Sequence, residues 1–329
     1  MVNQLNKNKK EKNKKAFHTG FVALIGRPNV GKSTLLNSLL GQKIAIVSDK
    51  PQTTRVSIQG IKTTDRGQII FVDNPGIHKP LHLMNRRMMN YVHSSLQTAD
   101  LILLLIDASS RYGHGDQYVL NLLKSISTPV FLLINKVDLV KKDSLLPLID
   151  NYRNLYPFKE IIPISALKGD NLKVLENIIY DYLPEAERLY SEEEISDQSE
   201  KFWLSEIIRE KVLQQVEEEL PYTTAVVIQS IEKIKRTKIK RGEHSRSQAE
   251  NRKEKVLYHI KAEILVEKEN HKGIIIGHRG SMIKTIGSQA RKEIEENLGG
   301  QVFLELSVRV RERWRDSEEI LDMLEEQKE

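Results

Sequence analysis

The sequence predicts an α/β domain with a doubly wound, mostly parallel sheet, followed by a smaller α+β domain. Three observations predict it. Short apolar runs alternate with helical stretches from Gly20 to Leu183, the pattern of strands joined by crossover helices. A glycine-rich turn of the form G-x-x-x-x-G-K-S, Gly26–Ser33, stands between the first apolar run and the first helix. Beyond an acidic, serine-containing stretch at Pro184–Ser199 the order changes to helix, strand, strand, helix, helix, strand.

The first elements already carry chemistry. Phe21–Ile25 reads as a buried strand and Thr34–Leu40 as a helix. Between them Gly26, Arg27, Pro28, Asn29, Val30, Gly31, Lys32 and Ser33 form a phosphate-binding loop. Its glycines let backbone N–H groups turn inward around phosphates, and the helix N-terminus adds partial positive charge. Lys32 is placed to reach β- and γ-phosphate oxygens, and the Ser33 hydroxyl to ligate Mg²⁺.

Next comes apolar Ile44–Val47, then a polar, proline-containing loop over Ser48–Arg55. A γ-phosphate and its Mg²⁺ need a hydroxyl ligand from such a loop, supplied only in the triphosphate state. Thr54 is the first choice and Thr53 the alternative. Val56–Lys62 and Gln68–Val72 flank Asp65–Gly67 as a hairpin, and the second run ends in Asp73, Asn74, Pro75 and Gly76. Asp73 suits the second carboxylate on the Mg²⁺ side, and Gly76 a backbone amide that senses the γ-phosphate. Lys32, Thr54, Asp73 and Gly76 are thus the expected catalytic set, with Ser33, Thr54 and Asp73 around the metal.

Ile77 follows that glycine, where many GTPases carry a water-orienting glutamine. An apolar side chain cannot orient water, so hydrolysis needs help from a monovalent cation, a backbone carbonyl or a partner. The Asn29 side-chain oxygen is available to a K⁺ ion. His78 and His82 have a metal-binding spacing on a helix, but Pro80 between them argues against one.

Leu101–Ile106 and Val130–Ile134 read as buried parallel strands. The second ends in Asn135, Lys136, Val137 and Asp138, which decide the base. The Asp138 carboxylate accepts from guanine N1–H and its exocyclic amine, whereas adenine would leave it unpaired, a mismatch able to discriminate by roughly 10⁴. Asn135 is expected to bridge the base side and the phosphate loop, with the Lys136 stem packed on the ring. Ile161–Ile164 is the last strand, and Ser165 and Ala166 begin a loop whose backbone N–H can meet guanine O6.

Composition bounds the rest. The chain has 329 residues, a net charge of +6 and no cysteine, which excludes disulfides and thiolate zinc sites. A pI near 9.1 fits an anionic partner. No run of eighteen apolar residues occurs and the N-terminus has no apolar signal core, so direct membrane insertion is not expected. The expected division is a disordered basic tail at 1–17, a first domain at 18–183, a linker at 184–199, a second domain at 200–316 and a C-terminal tail at 317–329.

In the second domain, Glu200–Leu220 has helical periodicity and stops at Pro221, and Thr224–Ile231 and Val256–Glu267 read as strands. Between the strands, Glu232–Lys255 is rich in basic residues, either a solvated hairpin tip or an arm contacting phosphates. Gly277, His278, Arg279 and Gly280 then form a G-x-x-G turn between two short helices, with apolar faces expected from Ile274, Ile275, Ile283 and Ile286. Glycines without side chains let a nucleic-acid backbone approach, and His278, Arg279, Lys284 and Arg291 supply polar and charged contacts. Val302–Val310 alternates as a strand. This order fits a KH domain of the prokaryotic type, type II.

From Gly20 to about Arg315 the sequence resembles the bacterial Era GTPases, most specifically in GRPNVGKSTLLN, QTTR at Gln52–Arg55, NKVD, and the frame from Gly273 through GSQAR. The resemblance implies a GTPase coupled to a KH domain, binding GTP and GDP with Mg²⁺. It further implies contact with the 3′ end of 16S ribosomal RNA and a role in maturation of the 30S subunit. A cytoplasmic monomer with peripheral membrane association completes the expectation. Two departures stand out. The usual DTPG is DNPG here, through Asn74, a change expected to matter little, and the 232–255 segment and N-terminal tail are longer than the family norm. Two other readings stay open: an RNA-binding scaffold holding GTP as a structural ligand, and a GTPase of tRNA modification or of the membrane, which would not need the G-x-x-G frame.

Overall fold

The computed structural model describes residues 16–236 and 255–328. Of the expected tail at 1–17, residues 1–15 lie outside them, as does most of the basic 232–255 segment, while Phe17 is held by the chain, its carbonyl accepting from the Ala186 amide. Residues up to Asp197 form one compact unit, apart from His82–Met84, and Gln198 onward forms a second.

In the first unit the elements run β1 (His18–Gly26), α1 (Lys32–Leu40), β2 (Ile58–Thr64), β3 (Gly67–Asp73), α2 (Leu83–Thr98), β4 (Leu101–Asp107), α3 (His114–Leu123), β5 (Val130–Asn135), α4 (Leu145–Arg153), β6 (Glu160–Pro163) and α5 (Leu172–Tyr180). The six strands lie in the order β2-β3-β1-β4-β5-β6. Only the β2–β3 hairpin is antiparallel. Val22–Ile25, Leu101–Ile106 and Val130–Ile134 are buried throughout, because helices cover both faces of the sheet. Parallel strands aligned this way bring the loops after β1, β3 and β5 to one edge, where ligands of open α/β sheets bind.

The expected linker is an ordered strap. The Thr19 amide donates to the Pro184 carbonyl at 3.0 Å and Ala186 to Phe17 at 3.1 Å. The side-chain oxygen of buried Gln68 accepts from the Leu189 and Tyr190 amides, at 2.9 Å each. Farther along, the Ile61 amide donates to Ile195 at 2.9 Å, and that of Gln59 to the Asp197 carboxylate at 2.9 Å. Strand β2 is an edge strand, and the strap satisfies outward N–H groups that the sheet leaves open. Most of these bonds use the strap's main chain, so its polar composition did not disclose them.

The second unit contains α6 (Glu200–Gln215), α7 (Leu220–Thr223), β7 (Ala225–Arg236), β8 (Lys255–Val266), α8 (Glu269–Ile276), α9 (Ser281–Leu298), β9 (Gln301–Val310) and α10 (Glu318–Glu326). Its sheet has the order β7-β8-β9, with β8 and β9 parallel. Ser199 caps α6, its hydroxyl accepting from the Phe202 amide at 3.2 Å. That helix ends at Gln215, earlier than expected, and Pro221 sits in the first turn of α7, where its missing N–H costs nothing. Ile275, Ile286, Ala290 and Ile294 pack into the core with α6 and the sheet. Ile274, expected on the apolar face, is 49% exposed. Adjacent helical residues point about 100° apart, so a short helix cannot seat both 274 and 275. The helix after the turn, α9, is also long rather than short.

The expected C-terminal tail is a correction as well. Helix α10 buries Leu321, and Gln327 beyond it is buried against β7. Its side chain accepts from the Ile228 amide at 2.6 Å and donates to the Val226 carbonyl at 3.3 Å. Strand β7 has a register shift there, between Ile228 and Ser230, and Gln327 pairs backbone groups of this edge strand. The apolar spacing of Ile320, Leu321 and Leu324 was the available signal.

Candidate functional site

A cleft of about 460 Å³ opens at the carboxyl ends of the central strands, between the phosphate loop, the 46–54 loop, Gly76 and the 135–139 and 166–167 turns. At its phosphate end, Gly31 caps α1 with φ +97, and a Cβ there would lie 2.3 Å from the Asn135 amide nitrogen. Glycine is thus required by both conformation and space. Lys32 is 6% exposed, and its ammonium donates to the carbonyls of Gly26 at 3.4 Å and Arg27 at 3.1 Å. Burial pushes Lys32 down to about 8, against the pull of Asp73.

Three oxygen groups meet beside it. Ser33 Oγ donates to Asp73 Oδ2 at 2.7 Å, Thr54 Oγ1 to the same oxygen at 3.2 Å, and the two hydroxyls are 3.0 Å apart. Thr53 instead donates to the Lys50 carbonyl at 2.7 Å, so the geometry separates two threonines the sequence left open. Burial pushes the Asp73 carboxyl up, with Lys32, Ser33 and Thr54 opposing. Its Oδ1 is buried without a hydrogen-bond partner. An orphaned carboxylate oxygen beside two hydroxyls is a hard-oxygen donor set that fits Mg²⁺.

At the other end, Asn135 reaches both ways. Its amide donates to the Val30 carbonyl at 2.8 Å and its oxygen accepts from the Ala166 amide at 2.9 Å. Ser165 Oγ donates to one oxygen of Asp138 at 2.6 Å, fixing the carboxylate's orientation. Lys136, at φ +64, donates to Asp107 at 2.7 Å. Burial works against the charge of Asp107, but the hydrogen bonds from Lys136 and Ser109 together outweigh it and hold the carboxyl below its usual range. Leu139 and Leu167 line the base end and are 64% and 73% exposed. Apolar side chains so bare suit a planar ring.

On the second unit, Gly277 and Gly280 both have positive φ, +73 and +77. A Cβ on Gly280 would meet nothing within 4 Å, so its backbone is open to close approach. His278 and Arg279 are exposed in the turn, and Lys284 and Arg291 are exposed two helical turns apart along α9.

Residues 21–136 match the family described as 50S ribosome-binding GTPase, and residues 245–315 match the KH domain family. A crystal structure of Era in complex with MgGDPNP and nucleotides 1506–1542 of 16S ribosomal RNA is 40% identical, covers 94% of this chain and 98% of its own, and superposes with a TM-score of 0.85. The chain belongs to the Era family. A second Era, a variant from Aquifex aeolicus bound to GDP and AlF4⁻, is also 40% identical, over 94% of this chain and 99% of its own, with a TM-score of 0.84.

Within this Era-family GTPase not every expected nucleotide residue faces the cleft. Arg27 turns away to Asp116 of α3, at 2.9 Å. Val30 is buried and offers its carbonyl to Asn135. The Asn74 side chain is buried in the interior, and neither Pro75 nor Val137 lines the cleft. Ile77 is 2% exposed and packs in the core. Asp107 and the two leucines were missed because none belongs to a spaced motif.

Proposed function

We infer that this Era-family chain binds GTP, hydrolyses it to GDP and phosphate, and holds the 3′ end of 16S ribosomal RNA on the G-x-x-G turn of its KH domain. The observation that carries the nucleotide reading is Asn135, which joins the phosphate loop to the base end in one cleft. Phosphate-loop amides and Lys32 hold the β- and γ-phosphates, and the Gly76 amide meets the γ-phosphate. Asp138, oriented by Ser165, takes the guanine edge. Ser33, Thr54 and Asp73 are the residues that would hold Mg²⁺, which when bound neutralises charge on the phosphates.

Buried Ile77 leaves water orientation to other groups. The Asn29 amide donates to the Asp49 carbonyl, which brings a side-chain oxygen and a loop carbonyl into one neighbourhood. A K⁺ ion held there would supply positive charge, and hydrolysis would then run faster in K⁺ than in Na⁺, with Asn29→Ala erasing the difference.

The RNA reading rests on the open Gly280 backbone flanked by exposed basic side chains, and on the related Era captured with that RNA. In this reading the chain acts as a cytoplasmic monomer on the 30S subunit, with its nucleotide state setting RNA affinity. No helix among the described residues is long and apolar enough to cross a membrane, so membrane association belongs to this reading only as a peripheral contact, testable by sedimentation with anionic vesicles. The deciding experiment measures anisotropy of a labelled RNA equivalent to nucleotides 1506–1542 with the full chain in GDPNP and in GDP. Tighter binding in GDPNP, and weaker binding of a scrambled RNA, is the expected result. Equal affinity for both RNAs overturns the reading.

A further inference from the structure

Asn74 stands where the family pattern has threonine, and its side chain is a junction rather than a nucleotide contact. It is 0% exposed. Its oxygen accepts from Ser57 Oγ at 2.8 Å and from Ser95 Oγ at 2.7 Å. Its nitrogen donates to the carbonyls of Leu24 at 3.3 Å and Val72 at 3.2 Å. Every hydrogen-bonding position of the amide is used. Three segments therefore converge on one side chain: the exit of the Thr54 loop, helix α2, and the centre of the sheet.

The neighbours give this junction a function. Asp73 accepts from Thr54, and the next residue accepts from Ser57, three positions along the same loop. The loop is thus bonded to Asp73 and Asn74 at two successive rungs. Helix α2 touches the loop again where Asn85 Nδ2 donates to Gln52 Oε1 at 3.4 Å. Asn85 and Ser95 lie about 15 Å apart along the helix, so loop and helix are joined at two levels. A buried network of this kind, fully satisfied, permits few alternative arrangements.

We propose that Asn74 is a positioning residue that ties helix α2 to the Thr54 loop, so that the helix follows the loop when GTP orders it. This deepens the GTPase reading and rests on it. Ser57 and Ser95 are the two arms of one connection, and cutting either arm breaks the tie at the Asn74 level, leaving the long Asn85–Gln52 contact between helix and loop.

The test uses the full chain with Ser57→Ala and Ser95→Ala, singly and together. Amide hydrogen exchange of α2 is compared in GDPNP and GDP, beside single-turnover hydrolysis and GDP affinity. In the parent chain α2 exchanges more slowly in GDPNP. Each single variant loses that difference and hydrolyses about fivefold more slowly, while GDP affinity stays within about twofold. The double variant is no slower than the worse single, because both changes cut the same connection. Asn74→Ala matches the double variant, and where its melting curve reports unfolding the serine variants decide alone. An exchange difference that survives in every variant, losses that multiply in the double, or GDP affinity that falls in step with rate overturns the proposal. A parent chain that hydrolyses no GTP overturns the GTPase reading instead, and leaves the exchange comparison to judge the junction.

Discussion

In the nucleotide cleft Lys32, Asp73 and Asn135 are 6%, 0% and 2% exposed; Lys32 is held by carbonyls of its own loop, and Asp73 and Asn135 by groups from distant parts of the chain. Around the G-x-x-G turn, His278, Arg279, Lys284 and Arg291 stand in solvent beside Gly280, where an added Cβ would meet nothing within 4 Å. Both regions are built for anions. The cleft has its desolvation cost met in the fold itself, which suits a small ligand that must be placed accurately for chemistry. The turn keeps its charges in water, which suits a long polyanion bound through many weak contacts. The difference teaches that sensitivity to mutation should be concentrated in the first region and distributed in the second.

The sharpest break is Lys32→Ala, which removes the only ammonium the phosphate loop places in the cleft. Single-turnover phosphate release should fall by about 10³-fold, with RNA binding in GDP unchanged. Next is Asp138→Asn, which replaces a charged acceptor with a mismatched amide at the guanine edge. GTP affinity measured by competition should fall by about 10²-fold while any affinity for ATP stays where it was. On the other side of the comparison, Gly280→Asp keeps a residue tolerant of positive φ and adds a negative charge where a phosphate backbone would pass. Filter binding of the RNA should weaken by about tenfold, with RNA-free GTP hydrolysis unaffected. The smallest effect belongs to Lys284→Ala, a loss of about threefold in RNA affinity. It should be accompanied by a shallower salt dependence, by about 0.7 in the log–log slope for a single-stranded contact. A Lys284→Ala loss as large as that of Lys32→Ala would erase the distinction between the two regions.

Much of the first unit was legible because its signals are local. A strand, glycine loop and helix within twenty residues announce themselves through periodicity and turn chemistry, and Asn135 through Asp138 follow a strand directly. What sequence could not resolve depends on partners far along the chain. Thr53 and Thr54 share a loop and a hydroxyl, and only the position of Asp73 tells them apart. Asp107 meets Lys136 across 29 positions and Arg27 meets Asp116 across 89, with no spacing to betray either pair. Asn74 was read through its motif as a nucleotide residue, yet its neighbours in space are Ser57 and Ser95. In the second unit the turn was legible, while the buried face of the helix before it was not, because Ile274 and Ile275 offered one short helix two incompatible faces.

The strap over Pro184–Asp197 decides where this chain can be divided. A fragment ended at Leu183, the apparent close of the first α/β pattern, would strip partners from the Gln59 and Ile61 amides and from the interior Gln68 oxygen. It would also bare the outer margin of the sheet to any other strand in solution. A fragment carried through to Asp197 keeps that margin dressed. The natural place for scissors therefore lies fourteen residues later than the rhythm of strands and helices suggests, at the join between Asp197 and Gln198.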